Sequence, residues 1–341
     1  MQKLLLTALA IIVPFSSLPA SARTWYILPD GTGDAPTIHA GIDSASAGDI
    51  VLVACGTFYE HEIWMKSGIT LRSETGNPDC VTIDAECDGT VLFCSDVDNT
   101  TSIDGFTITH GLAGCVGCFP ARGGGMYCWG SSPTITNCTF RDNVAHGWHE
   151  HAACGGGLCC FGSSPAFVNC IFFENSAFGE WYENSRGGAI ACIGGSSPTF
   201  VSCVIYSNGT DYGGGGIYCL YSSPTLTNCI LSNNSSSNSG VIYCDWGGNP
   251  TLTCCDLWGN QWADWAGHIE DQYGINGNFS ECPRLCDPYN GDFHLQECSP
   301  CIPEYNPECG LIGAYGVGCP CGEPTPVERV SWGQVKNMFR E

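Results

Sequence analysis

The chain has 341 residues, of which only 13% are charged, and acidic residues outnumber basic ones 34 to 11 for a formal net charge of −23. This argues against nucleic acid, whose phosphates need clustered Lys and Arg, and against an anionic membrane surface. With 43% hydrophobic and 11% aromatic residues, it also argues against disorder.

The N-terminus reads as an export signal over residues 1–22. Lys3 is a short basic start, Leu4 to Phe15 an apolar run, and Ala20-Ser21-Ala22 a small-x-small cleavage site. The run is about a dozen residues, short of the ~20 that span a bilayer, and no second segment is long enough to cross. A mature chain from Arg23 is expected in an oxidising compartment, secreted or at the cell surface, which suits an even count of 26 cysteines. Next, PTIHAGIDSASAGD (36–49) follows a PDGTGD turn and reads as a short amphipathic helix. IVLVACGTF (50–58) and ITLRS (69–73) read as strands. An open solenoid exposes an apolar end and unpaired edges, so the helix is expected to plug that end.

Self-similarity dominates the middle of the chain. GGMYCWGSSPTITNCTFRDN (124–143) recurs as GGLCCFGSSPAFVNCIFFEN (156–175), GAIACIGGSSPTFVSCVIYSN (188–208) and GGIYCLYSSPTLTNCILSNN (215–234). An eroded copy follows at 239–260. The markers Met126, Leu158, Ile190, Ile217 and Ile242 are 32, 32, 27 and 25 residues apart. A constant frame with insertions of varying length is solenoid behaviour. Apolar residues alternate at period two, which means strands, and the Pro of each SSP cannot sit inside a hydrogen-bonded ladder, so SSP is a turn. Bends follow at Asn137, Asn169, Ser202 and Asn228, and each copy closes on Asn143, Asn175, Asn208 or Asn234. Stacking sets Asn on Asn, so side-chain amides can bond from coil to coil. Eight or nine coils rising ~4.8 Å each make a rod of roughly 40 Å.

Two cysteine columns fall inward on this alternation: Cys128, Cys160, Cys192, Cys219 and Cys244, and Cys138, Cys170, Cys203, Cys229 and Cys255. A thiol there packs as a small apolar group, although cross-coil disulfides are an alternative. The better disulfide candidates lie off the columns: Cys55, Cys80, Cys87, Cys94, Cys115, Cys118, Cys154, Cys159 and the cysteines from Cys282 to Cys321. The last group reads as a Cys-rich C-terminal cap. Residues 322–341 comprise the Pro-rich linker GEPTPVE and a short tail helix that Ser331 would N-cap, with Trp332, Val335 and Phe339 on one face. That tail reads as a sorting or anchoring tag or as a plain terminus.

These repeats resemble the right-handed parallel β-helix superfamily of pectin and pectate lyases. Gly187–Ile190, Phe140–Asn143 and Phe172–Asn175 are similar to the GGA-I and F-x-x-N repeats of polymorphic outer-membrane autotransporter passengers. Residues 29–60 resemble the opening of pectin-methylesterase-like β-helix proteins. The resemblance implies an all-β, single-stranded right-handed parallel β-helix solenoid over 23–321, with a short N-terminal capping helix. It does not carry an activity: the Q-D-T and D-F-I-F-G strands of pectin methylesterases are missing, as are the G-H-G and R-I-K elements of polygalacturonases.

Chemistry is expected in the insertions 110–122, 144–154, 176–186 and 209–212, on one edge of the rod. Trp148, Glu180, Trp181, Tyr182, Asp211 and Tyr212 combine aromatic rings and carboxylates as a carbohydrate-binding groove needs. Alternatively the loops fold back and bury their own rings. Asp142 and Glu174 occupy equivalent positions in adjacent coils, ~5 Å apart on a coil rise, and require a cation or Arg between them. With calcium and Arg186 as base they would resemble lyase chemistry; as paired carboxylates, a glycosidase. Arg141 and Arg186 as simple neutralisers are the plainer account. His146, His149 and His151, with Glu150 and Cys154, form the strongest metal-like cluster, against a solvent-exposed His loop. The expected function is binding of extracellular polysaccharide or another cell-surface component. A polysaccharide lyase or glycoside hydrolase is the rival class, and a structural surface rod the third.

Overall fold

The computed structural model describes residues 22–114, 121–148, 151–179 and 185–322. Each coil supplies three short strands, and among the described residues these stack into three long parallel sheets. Sheet A has nine strands, from Thr24–Ile27 to Thr251–Thr253; sheet B has eight, from Gly56–Tyr59 to Asp256–Trp258; sheet C has seven, from Ile63–Trp64 to Ile242–Asp245. Register passes from coil to coil without a slip, so Met126, Leu158, Ile190, Ile217 and Ile242 lie one above another. The repeat frame read from the sequence is therefore the coil itself.

Like stacks on like throughout. Phe140 lies on Phe172 with ring centroids 4.9 Å apart, and Phe167 on Phe200 at 5.2 Å. The closing asparagines are fully buried and form a continuous ladder. Asn143, Asn175, Asn208 and Asn234 each donate an amide N–H to the Oδ1 of the next, at 2.9–3.0 Å, with Asn260 as the last acceptor. At the bends, left-handed backbone at Asn137, Asn169, Ser202 and Asn228 (φ 51–54°) turns the chain from sheet A to sheet B. Buried serines of the SSP turns make a second ladder: Ser131 N–H donates to Ser163 Oγ, and Ser163 N–H to Ser196 Oγ, at 3.0–3.1 Å.

Both cysteine columns are buried and reduced. Those at the bends donate S–H to the carbonyl two residues back, as Cys138 does to Thr136 at 3.2 Å, and burial pushes the Cys138 thiol up to about 12. Cys94, expected in a disulfide, instead heads the sheet C column opposite Cys128. Disulfides join Cys55–Cys80, Cys254–Cys309, Cys286–Cys319 and Cys298–Cys321. Cys87, Cys154, Cys159, Cys282 and Cys301 carry free thiols, which corrects the expectation for them. The stacking explains the middle pair: Cys154 is flanked by Arg122 and Arg186, and Cys159 by Tyr127 and Ala191, so no sulfur lies opposite either. Cys115 and Cys118 lie outside the described residues.

The N-terminal helix is shorter than its amphipathic pattern, Ile38–Ser44. Thr37 caps its start, and the Glu60 carboxylate accepts from Ile38 and His39 N–H at 2.8 and 3.0 Å. Lys66 Nζ donates to the last carbonyls, including Ala45 O at 2.7 Å. Ile38 and Ile42 plug the first coil. At the other end, the 3-10 helix Gly267–Gln272 sets Ile269 against the main core. The Cys-rich cap, with strands Leu285–Asp287, Asp292–Gln296 and Val317–Cys319, is seated on the flank of the rod. It covers the outer face of sheet B, where Phe293, Leu295 and Ile312 pack on Ile171, Phe173, Val204 and Ile230.

Candidate ligand-binding groove

The insertions fold into a ridge made of two further short parallel sheets. One contains Val144–Gly147, Ser176–Gly179 and their equivalents; the other contains Ala121–Arg122, Ala153–Cys154 and Ser185–Arg186. Ala113, Ala121, Ala145, Ala153 and Ala177 form the small core between them, and only methyl side chains let two sheets approach this closely. At the root of the ridge the chain must turn back into sheet C through a double glycine. Gly155 has φ +67°, and a Cβ on Gly156 would clash with the Ser176 backbone.

This return lays two arginines on the outer face of sheet C. Arg122 and Arg186 flank Cys154 in one register column. The Arg122 guanidinium stands 4.7 Å over the Phe161 ring and donates from Nη1 to Tyr127 Oη at 3.0 Å. Arg186 stands 5.3 Å over Tyr218. The Nε atoms of both are buried without a hydrogen-bond acceptor among the described residues. Along the face, Trp64 stacks on Phe93 at 4.6 Å and Phe93 meets Tyr127 edge-on at 6.2 Å. At the far end Tyr218, fully buried with Arg186 over it, lies 6.1 Å from Tyr243, and Tyr218 Oη donates to Asp245 at 2.9 Å, so it supports the face from beneath and offers no ring to a ligand. Burial raises the Tyr127 and Tyr218 phenols above their usual range, so both remain donors. One end of this face opens into a cleft of about 680 Å³ lined by His61, Cys87, Asp88, Phe93, Arg122 and Tyr127.

The residues singled out in the sequence divide between this face, the ridge and the opposite turn. Tyr212 joins the aromatic row, edge-on to Tyr243 at 6.0 Å. Asp211 is 2% exposed and points into the protein rather than to a ligand surface. Trp148 is half-buried and packs 4.2 Å from the His146 ring, which also contacts Phe178 at 4.6 Å. Glu180, Trp181 and Tyr182 lie outside the described residues, as do His149 and Glu150. His146 and His151 remain, and among the described residues no three His, Cys, Asp or Glu side chains converge on one point.

Asp142 and Glu174 do stack in adjacent coils, at left-handed positions (φ 54° and 52°) before the asparagine ladder. Arg141 donates Nε–H to Asp142 Oδ2 at 2.8 Å. Glu174 is exposed as a residue, yet withdrawal of its carboxyl from water, reinforced by Asp142 and opposed by Arg141, pushes it up to about 7. Arg186 is not brought to this pair, since it lies with Tyr218 on sheet C; Arg141 supplies the positive charge. Arg122, Tyr127, Trp64, Phe93, Tyr218 and Tyr243 were not singled out in the sequence. A signal did exist: Arg122 and Arg186 both immediately precede a double glycine, the same point of the repeat.

Residues 67–275 match the family described as right handed beta helix region, and the chain belongs to it. No curated protein matches the sequence. Among solved structures it is similar to pectate lyase Pel9A, at 14% identity and a TM-score of 0.43, over 70% of this chain and 64% of that one. It is also similar to a mannuronic acid specific polysaccharide family 6 lyase from human gut microbiota, at 14% identity and 0.40, over 70% and 55%. A third is the pectin methylesterase from Aspergillus niger, at 12% identity and 0.34, over 77% and 90%. The chain thus spans less than two thirds of either lyase.

Proposed function

We propose that this is an exported protein, secreted or held at the cell surface, that binds extracellular polysaccharide along the outer face of sheet C beside the ridge. The observation that carries the reading is the pair of arginines laid on an aromatic row, in a chain with few cations. The exposed Trp64 and the half-buried Phe93, Tyr127 and Tyr243 offer stacking surface for sugars, and the fixed guanidiniums offer donors for hydroxyl or carboxylate oxygens. The disulfides fit the export that the N-terminal signal suggests. The test is affinity electrophoresis of the mature chain through gels holding neutral or acidic polysaccharides. Retardation by at least one polymer is expected, and Arg122→Gln or Arg186→Gln should weaken it about tenfold, the loss of one charge-assisted hydrogen bond. Equal retardation of the variants would remove the groove from the account.

A second reading has its own observation. The Glu174 carboxyl, held near neutrality beside Asp142 and Arg141, has the character of a general acid, which suits a glycoside hydrolase or lyase. Reducing ends and ultraviolet absorbance of unsaturated products, followed with and without calcium, test it. Turnover that disappears in Glu174→Gln, with retention on polymer unchanged, would favour it over simple binding.

A further inference from the structure

The outer face of sheet B changes character partway along the rod. In register order its outward pairs are Thr107 and Thr109, Thr139 and Arg141, Ile171 and Phe173, then Val204 and Tyr206. The cap packs on the apolar pairs. Where it stops, a cleft of about 610 Å³ opens over Thr139 and Arg141, with the cap on one side and the turn 77–79 on the other. Both walls are cross-linked close by. Cys80, next to Asp79, is tied to Cys55, and Cys286–Cys319 joins the two strands that flank Asp292–Gln296 in the cap. A ligand therefore meets a preformed site and orders little on entering.

The groups that face the cleft are polar but not of one sign. On the floor, Arg141 gives its Nε–H to Asp142 at 2.8 Å and keeps its Nη atoms for a ligand. Among the described residues the Thr139 hydroxyl beside it has no hydrogen-bond partner. On the cap wall the His294 and Tyr315 rings stack with centroids 5.0 Å apart. A Cβ on Gly318 would clash with the His294 side chain, so glycine there makes room for the ring. Asp292 Oδ1 lies 2.7 Å from His294 Nδ1. A carboxylate only accepts, so the neutral ring carries its proton on Nδ1 and Nε2 is an acceptor. Burial, with Asp79 nearby, pushes the Tyr315 phenol up to about 12, so its Oη stays a donor.

We propose that this cleft binds a neutral saccharide. Asp79 and Asp292 on the two walls repel an anion, and Arg141 on the floor repels a cation. An uncharged ligand with many hydroxyls meets neither objection. Its hydroxyls can pair with Arg141, Thr139 and Tyr315 as donors and with Asp79 and His294 as acceptors. Its apolar ring face can lie on the stacked rings of His294 and Tyr315. The cleft is on sheet B and the arginine groove on sheet C, so this inference is independent of the groove.

The test is saturation-transfer NMR on the disulfide-intact mature chain with methyl glucoside, methyl galactoside and methyl mannoside, run beside spermidine as a cation and acetate as an anion. Transfer to at least one glycoside is expected. Asp79→Ala, at an exposed position, and Tyr315→Phe, which keeps the ring and loses the donor, should each weaken that binding about tenfold with an unchanged thermal melt. Arg122→Gln, on the other face, should leave it unaltered. No transfer to any glycoside, binding undiminished in both cleft variants, or transfer to spermidine or acetate in place of the sugars would overturn the proposal. So would loss of the sugar signal in Arg122→Gln alone, which would return it to sheet C.

Discussion

Cysteine does opposite work in the interior of the rod and in the flanking cap, apart from the Cys55–Cys80 bridge between early coils and the free Cys282 and Cys301 of the cap. Inside the rod, eleven cysteines in two columns are free and buried. In and around the cap, three disulfides join Cys254–Cys309, Cys286–Cys319 and Cys298–Cys321. A coil residue is held by identical neighbours above and below, by backbone pairing and by the Asn and Ser ladders, so its sulfur need only fill space. The cap's short strands have no self-similar neighbour, and covalent links hold what repetition cannot. Position in a lattice and position by cross-link are two answers to the same entropy cost.

The sharpest way to break this contrast is to cut the cap's tether. Cys309→Ser releases a link across 55 residues, and loop-closure entropy puts the loss at about 4 kcal/mol. Hydrogen exchange should accelerate in sheet B strands such as Ile171–Phe173 and leave sheet C unchanged; acceleration in both would mean the rod depends on the cap. Next is the ladder: Asn175→Ala removes bonds to Asn143, Asn208 and Phe140 O and should cost about 3 kcal/mol in denaturant unfolding. A loss below about 1 kcal/mol would demote the ladder from support to ornament.

A graded effect is expected at the seam between rod and cap. Asp256 is fully buried there, accepting from Glu281 N–H at 3.1 Å and lying 3.4 Å from Cys301 Sγ. Burial pushes its carboxyl up to about 8, against those two contacts. Folding therefore takes up a proton between about pH 4, where the unfolded group ionises, and about pH 8. This contribution to stability is full below that window and falls through it as pH rises. Asp256→Asn should flatten the slope in denaturation midpoints measured from pH 4 to 8; an unaltered slope would assign it to other groups. The smallest effect belongs to the columns: Cys170→Ser keeps a donor for Val168 O and should cost about 1 kcal/mol. Alkylation with mass mapping should modify exposed Cys87 rapidly in the native protein and the column thiols only on unfolding.

The coils were legible because repetition turns a three-dimensional question into a one-dimensional one. Once GGMYCWG was aligned with GGLCCFG, the residue above and below every strand position was known, including Cys on Cys, Asn on Asn and Asp142 beside Glu174. Strand alternation then set inside from outside. Cys94 was missed because its coil lacks the SSP signature, although it obeys the same register.

Where the chain stops repeating, its contacts belong to the folded object. Nothing in residues 282–321 states that Phe293 meets Phe173, or that Cys309 reaches back to Cys254, because these pairings depend on how an irregular segment closes on a finished surface. The groove has the same origin. Arg122 and Arg186 are visible in the sequence, yet their meeting with Phe161, Tyr127 and Tyr218 depends on an alanine core that folds the insertions into a ridge. The same folding buries Asp211, which its loop position had suggested was open to ligand. Local pattern suffices where each residue's neighbour is a copy of itself; where the neighbour is distant and unlike, only tertiary packing selects it.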